Sequence, residues 1–185
     1  MADRLKDKVA IITGGGSGVG AAAVGLFSAE GARVVFCDVN EEGGRAVEKE
    51  VRAAGGDVLF VPCNLTQKEE LQHLVDTTIR QYGKIDVVFA NAGVTTKVKT
   101  KLHETDLDKD YNFVYDVNVK ANFYLTQMVL PHMMAAKKGS VIYTASREAH
   151  VGCYMNAVYA AGKRSVIQLA KSLGPQVRWM PPDRS

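Results

Sequence analysis

The chain is poor in cysteine and has no long apolar run. Its three cysteines, Cys37, Cys63 and Cys153, form an odd set without metal-ligand spacing. They read as reduced thiols, and no metal site is expected. Cys37 and Cys63 fall inside apolar strand-like runs, where cysteine behaves as a small buried hydrophobe. Reduced thiols point to a cytoplasmic protein. No stretch approaches the length of a membrane span. The opening Met1–Lys8 is polar and mixed in charge, unlike a signal peptide. A net charge of +3, with lysine and arginine scattered, is too small to imply nucleic acid. Internal repeats, linkers and low-complexity segments are also lacking. What is present is an ordinary globular balance, 46% hydrophobic and 23% charged over 185 residues, the size of one domain.

Val9–Thr13 is a continuous apolar run, as for a strand covered on both faces. It leads into the turn Gly14-Gly-Gly-Ser17-Gly18-Val19-Gly20 and a helical stretch closed by Gly31. Arg33–Asp38 is a second buried strand ending in an acid. Strand, glycine turn, helix, strand, acid is the order of a dinucleotide site. Glycines there permit a tight turn, close approach of a pyrophosphate and helix–strand packing. The amides opening the helix then face the phosphate. Asp38 can accept from a ribose 2′-hydroxyl and would repel a 2′-phosphate, which favours NAD over NADP. Asp38 also suits an N-cap for the next helix, and the two roles are compatible.

The alternation continues. Residues 41–54 form a charged helix with Glu41–Arg45 and Glu48–Arg52 pairs. Asp57–Cys63 reads as a strand, and Thr66 with Glu69 as a capping box opening a helix to about Tyr82. His73 in that helix reads as a surface residue. Ile85–Ala90 is a fourth strand, residues 118–136 a helix ended by Gly139, and Ser140–Ala145 a fifth strand. A last helix runs through Tyr159 to about Leu173 and is broken at Gly174-Pro175. This βα alternation is the pattern of a three-layer α/β/α, doubly wound parallel sheet.

Tyr159 and Lys163 lie one helical turn apart on one face. A phenol titrates near pH ~10, too high for a base at neutral pH, and a nearby ammonium favours the phenolate. Ser146 lies upstream at a strand end, where its hydroxyl could face that phenol. The pair alone is also common on ordinary helix surfaces.

Together, Thr13-Gly14-x-x-x-Gly18-x-Gly20, Asn91-Ala92-Gly93, Asn118, Ser146 and Tyr159-x-x-x-Lys163 resemble the short-chain dehydrogenase/reductase family, a single-domain Rossmann fold. The order and the Ser146-to-Tyr159 spacing agree, and the resemblance covers roughly residues 5–173. It implies that Tyr159 is the general acid/base and that Lys163 lowers its pKa and binds the nicotinamide ribose. It implies that Ser146 orients the substrate oxygen and that Asn118 holds a water in a proton relay. Gly14, Ser17, Gly18, Val19 and Gly20 would wrap the pyrophosphate. Asn91 and Gly93 would line the adenosine side, with Asn64 and Leu65 near the adenine. The implied reaction is hydride transfer between a secondary alcohol or ketone and NAD. Three departures stand out. Asn64 replaces the family's usual aspartate, its amide oxygen still being able to accept from adenine. Gly162 sits inside the catalytic helix at a cost of about 1 kcal/mol relative to alanine. Arg147-Glu148 and Cys153-Tyr154-Met155 are pocket candidates peculiar to this chain.

The family continues past the catalytic helix into a sixth strand, a nicotinamide-contacting loop and a seventh strand. Here residues 174–185 diverge, as in a truncated or alternatively spliced product, so the last strands are expected to be missing or rudimentary. Residues 176–180 could form a strand stub. Val166, Leu169 and strand-five residues would then be partly bare. Cofactor binding and turnover would be weakened by an unroofed site. The alternative to an active enzyme is an impaired relative that binds nucleotide or pairs with full-length subunits. The resemblance implies a homo-oligomer through helices 118–136 and 157–173.

Overall fold

The computed structural model describes residues 3–96 and 101–178, with side chains of the last helix described as far as Gly174. Five parallel strands, β1 (Val9–Thr13), β2 (Arg33–Asp38), β3 (Val58–Pro62), β4 (Val87–Ala90) and β5 (Ser140–Tyr143), form one sheet. Their order is β3-β2-β1-β4-β5. β1 pairs with β2 from Val9↔Arg33 to Thr13↔Cys37, and with β4 from Ala10↔Val87 to Ile12↔Phe89. The chain first steps outward from β1 to β3, then crosses to β4 on the other side. That reversal lies between β1 and β4, where a crevice opens at the carboxyl ends of the strands.

The apolar strands bury both faces. Ile11, Val35 and Val88 face α3 (Lys68–Tyr82) and α5 (Ala121–Ala135), meeting Leu71, Leu74, Leu125 and Val129. Ile12, Val34 and Phe36 face α1 (Gly18–Ala29) and α2 (Glu41–Ala53), meeting Val24, Val47 and Val51. Phe36 and Phe60 pack with ring centroids 5.3 Å apart. This is the three-layer doubly wound fold expected from the alternation. The two charge pairs on α2 form, Arg45–Glu41 at 3.3 Å and Arg52–Glu48 at 2.9 Å. Among the described residues no helix is long and apolar enough to cross a membrane.

Several local expectations are corrected. The helix placed at residues 118–136 starts earlier. A π turn at Leu107–Tyr111, α4 (Asn112–Tyr115), a second π turn at Asp116–Lys120 and α5 run on one from the next. After α5 the left-handed residue is Lys137 (φ 51°), not Gly139. The Thr66–Glu69 capping box does not form: α3 has Gln67 at its N-cap with no side-chain bond, and Thr66 bonds back to Asn64. Asp38 does not cap α2; Asn40 does, accepting from the Gly43 amide at 3.1 Å.

The last helix, α6 (Ala157–Arg178), does not break at Gly174-Pro175. Proline removes one donor and crowds the residue before it, but Gly174 has no Cβ to be crowded. Gln176–Arg178 are therefore helical rather than a strand stub, and residues 179–180 lie outside the described residues. Val166 and Leu169 are buried, against expectation, because α6 packs on α4 and the Asp116–Lys120 turn as well as on β5. The bare apolar residue of β5 is Ile142, 42% exposed.

Gly162 sits at this packing point. A Cβ there would meet Val119 at 3.6 Å and Tyr115 and Val114 at 3.8 Å, ordinary contact distances. Gly162→Ala should therefore stabilise the fold by about 1 kcal/mol through the helix backbone. Thermal unfolding should show a midpoint about 2–4 °C higher; a lower midpoint would mean that α6 cannot tolerate the methyl.

Candidate functional site

The crevice at the β1/β4 reversal is a cleft of about 680 Å³. Gly14, Ser17, Gly18 and Val19 line it from the first turn, and Asp38 and Asn64-Leu65 from the ends of β2 and β3. Asn91, Gly93, Phe113 and Val117 close the opposite side, and the buried Cys37 and Cys63 also line it.

The first turn is built by close contact. Gly18 takes φ +53°, a conformation that costs an L-residue strain, and the space beside it is open toward the cleft. Gly20 packs so tightly that a Cβ would overlap the Gly14 carbonyl oxygen. Ser17 is the extended N-cap of α1, and its hydroxyl makes no capping bond. The amides opening α1 therefore sit at the cleft beside an uncommitted hydroxyl.

Asp38 is half-buried at the end of β2. Its Oδ2 accepts from the Gly16 amide and its Oδ1 from the Asn40 amide, each at 3.0 Å. Both oxygens keep a lone-pair direction spare. Asn64 is used differently from the expectation. Its Oδ1 accepts from both the Thr66 amide (3.1 Å) and the Thr66 hydroxyl (2.9 Å). That fills the amide oxygen, so it is not free to accept from an adenine amino group.

A polar seam joins the strand ends. Asn91 donates to the Thr13 carbonyl and accepts from Thr144 Oγ1, both at 3.2 Å. Thr13 Oγ1 accepts from the Ala92 amide at 3.1 Å. Thr96 and Thr95 are tied to Asn156 at 3.3 and 2.8 Å. Thr13 entered the sequence reading only as part of the motif, and Thr144 and Asn156 were missed. They sit singly in strands and loops, where no periodicity marks a polar contact.

Asn118 is fully buried in the Asp116–Lys120 π turn. Its Oδ1 accepts from the Val94 amide at 2.8 Å, and its Nδ2 donates to the Val94 carbonyl at 2.7 Å. Its own carbonyl accepts from Asn122 Nδ2 at 2.7 Å. It therefore clamps the loop after β4 to the helical rod.

Lys163 is 3% exposed. Its ammonium donates to the Thr144 carbonyl at 2.8 Å and lies 5.9 Å from the Tyr159 ring centroid. A Cβ on Gly93 would come within 2.9 Å of Nζ. Burial pulls the Lys163 pKa below its ordinary value. Tyr159 is half-buried one turn earlier, and its hydroxyl is unpartnered among the described residues. Ser146 caps the one-turn helix Arg147–Ala149, its Oγ accepting from the Glu148 amide at 3.2 Å and its proton left free. The structure thus brings Asn91, Gly93, Asn118 and Lys163 together and sets Tyr159 one turn from Lys163 on α6.

Residues 8–179 match the short chain dehydrogenase family. The chain belongs to that family. It is 36% identical over 172 residues to 3-oxoacyl-[acyl-carrier-protein] reductase FabG of Thermotoga maritima, covering 91% of this chain and 68% of that protein. A short-chain dehydrogenase/reductase from Burkholderia phymatum in complex with NAD superposes with a TM-score of 0.90 at 29% identity. That likeness covers 94% of this chain and 61% of the other. A metagenomic short-chain oxidoreductase in complex with NADP gives 0.89 at 32% identity, over 94% and 78% of the two chains. The chain spans about three fifths of the length of several curated relatives.

Asn118→Ala should leave the Val94 amide and carbonyl without partners at a buried site. The expected loss is about 2–6 kcal/mol of unfolding free energy, about 1–3 for each group. Denaturant titration checks this; a loss under about 0.5 kcal/mol would show that the clamp is dispensable.

Proposed function

We propose that the chain binds NAD and is an oxidoreductase acting on a secondary alcohol or the corresponding ketone. The observation that carries this reading is the pairing on α6. Tyr159, with an uncommitted hydroxyl, stands one turn from a buried ammonium that lies against Gly93 on the cleft wall.

The cleft residues fit a dinucleotide. The α1 amides, Ser17 and the open side of Gly18 suit a pyrophosphate. Asp38 suits the hydroxyls of an unphosphorylated ribose, because its spare lone pairs accept and no cation beside it would offset a phosphate. Asn91 and Gly93 line the adenosine side, with Leu65 at the adenine end and Asn64 there without its acceptor. The cofactor supplies hydride chemistry when bound. The protein's share is to hold and move one proton. Tyr159 exchanges it with the substrate oxygen, Ser146 donates to that oxygen and orients it, and Lys163 favours the phenolate. Asn118 holds the loop that positions Gly93 over Lys163, and a relay water would have to share its carbonyl with Asn122. Phe123, half exposed on α5, suits the expected self-association; sedimentation at the monomer mass would remove that part.

A second reading is nucleotide binding without turnover. It is favoured by the extent of the cleft, whose lining includes neither Ser146, Tyr159 nor Lys163. Calorimetry with NADH and NADPH, joined to turnover with alcohols, separates the readings. Micromolar NADH binding, at least ~10-fold weaker NADPH binding and a smaller gap in Asp38→Ala are expected. Tyr159→Phe should keep NADH affinity while turnover falls by roughly 100-fold or more. Binding of neither cofactor would overturn both readings, and binding without turnover would leave the second.

A further inference from the structure

The end of the cleft beyond Asp38 carries a donor that the chain leaves unused. A ribose held at Asp38 would direct its base toward the end of β3, because the Cys63 amide donates to the Asp38 carbonyl at 3.1 Å and Asn64 follows directly. Asn64 is exposed and lines the cleft with Leu65 and Thr66. Its Oδ1 accepts from the Thr66 amide at 3.1 Å and from Thr66 Oγ1 at 2.9 Å. A backbone amide only donates, so the side-chain oxygen of Asn64, not its nitrogen, must face Thr66. The Nδ2 amino group then points elsewhere and has no partner among the described residues. The Thr66 hydroxyl spends its hydrogen on the same oxygen and accepts from Gln67 Nε2 at 3.2 Å. On a residue that lines the cleft and is open to solvent, Nδ2 is what remains for a ligand.

Adenine presents a 6-amino group, a donor, which gains nothing against another donor. A 6-oxopurine such as hypoxanthine presents a carbonyl oxygen at the same position, and that oxygen accepts. Its N1–H is left to water, which reaches the edge beside exposed Asn64. The other walls do not choose between the two bases. Leu65 lies on one side, and Phe113 and Val117, one turn apart, lie on the other. Phe113 is 41% exposed, so part of its ring is bare to the cleft. Apolar and stacking contacts of this kind tolerate any base, since every base has a π-face.

Resting on the nucleotide-binding reading above, we propose that the cleft favours a dinucleotide with a 6-oxopurine base over its adenine counterpart. Asn64 is the specificity-determining residue, its Nδ2 donating to the 6-oxo oxygen. Preference is a difference between two ligands, here the hydrogen bond made to the carbonyl and the donor-against-donor mismatch met by the amino group. An aspartate at this position would invert it. One carboxylate oxygen would stay with Thr66, and the other would accept from the 6-amino group and repel the 6-oxo oxygen.

The test is calorimetry of the 185-residue chain with NADH and with reduced nicotinamide hypoxanthine dinucleotide, two ligands that differ only in the base. The wild type should bind the hypoxanthine form about 2- to 10-fold more tightly, the worth of one neutral hydrogen bond. Asn64→Asp should reverse the order and favour NADH by a similar factor. Each ratio is taken on one protein, so any lost folded fraction cancels. A wild-type preference below twofold, or one for NADH, overturns the inference, as does a ratio that Asn64→Asp leaves unchanged. Either result leaves the oxidoreductase reading standing. Binding of neither ligand by the wild type overturns that reading, and this inference falls with it.

Discussion

The buried ammonium of Lys163 is the constraint around which the site closes. A charge taken out of water is costly unless polar atoms replace the lost solvent. Here the Thr144 carbonyl at the end of β5 accepts from it at 2.8 Å, and the loop after β4 passes so close that a Cβ at position 93 would come within 2.9 Å of the ammonium. Three elements are thereby held at one point: β5, the β4 loop and α6. Asn118 fixes the same loop from the other side through both hydrogen-bonding groups of Val94. Tyr159 inherits its position from this arrangement, because it sits on the helix that the ammonium anchors. On the proposed oxidoreductase reading the lysine is a chemical partner of the phenol, and its anchoring holds the helix on which the phenol sits.

The sheet was legible because its strands are apolar on both faces. Ile11 goes to one core cluster and Ile12 to the other, so Val9–Thr13 reads as an unbroken run. α2 was legible because its surface pairs recur at one-turn spacing. The rod ahead of Asn118, from Leu107 to Val117, was not. Its sequence is rich in Asp, Asn and Lys, with no clear apolar stripe, and its geometry includes two π turns that shift the period. What stabilises it is tertiary, the Asn118 clamp and the packing of α6. Gly174-Pro175 misled for a related reason: a proline is a statement about one donor and one neighbour, and glycine as that neighbour removes half of the conflict.

At the candidate site, spacing singled out residues but not what their polar atoms were already doing. Asn64 looked like an acceptor for adenine, yet Thr66 occupies its oxygen twice. Asn118 looked like a relay residue, yet both ends of its side chain are bound to Val94. Glu148 shows the opposite case: a shielded oxygen with no partner among the described residues, in a turn where sequence predicts only a variable pocket residue. Motifs report residue type, whereas chemistry depends on which lone pairs and protons remain uncommitted. That accounting needs three dimensions, because the partners are a strand, a loop or a helix away.

The same accounting sets how Asp38 would discriminate between nucleotides. Each of its oxygens is pinned by one backbone amide at 3.0 Å, so the carboxylate cannot turn away from the cleft. A ribose diol would supply hydrogens to the spare lone pairs without displacing either amide. A 2′-phosphate would supply none and would bring negative charge against a fixed negative charge. Of the arginines flanking it in sequence, Arg33 opens the far end of β2 and lies over the Tyr82 ring at 5.4 Å, and Arg45 is already paired with Glu41 on α2. Relief would need either a released arginine or a rotated carboxylate, and the two amide bonds oppose the second. On the proposed NAD reading, discrimination would arise chiefly from repulsion of the wrong cofactor rather than extra affinity for the right one. It would reside in the junction between β2 and the first turn, independent of what the α6 side of the site binds.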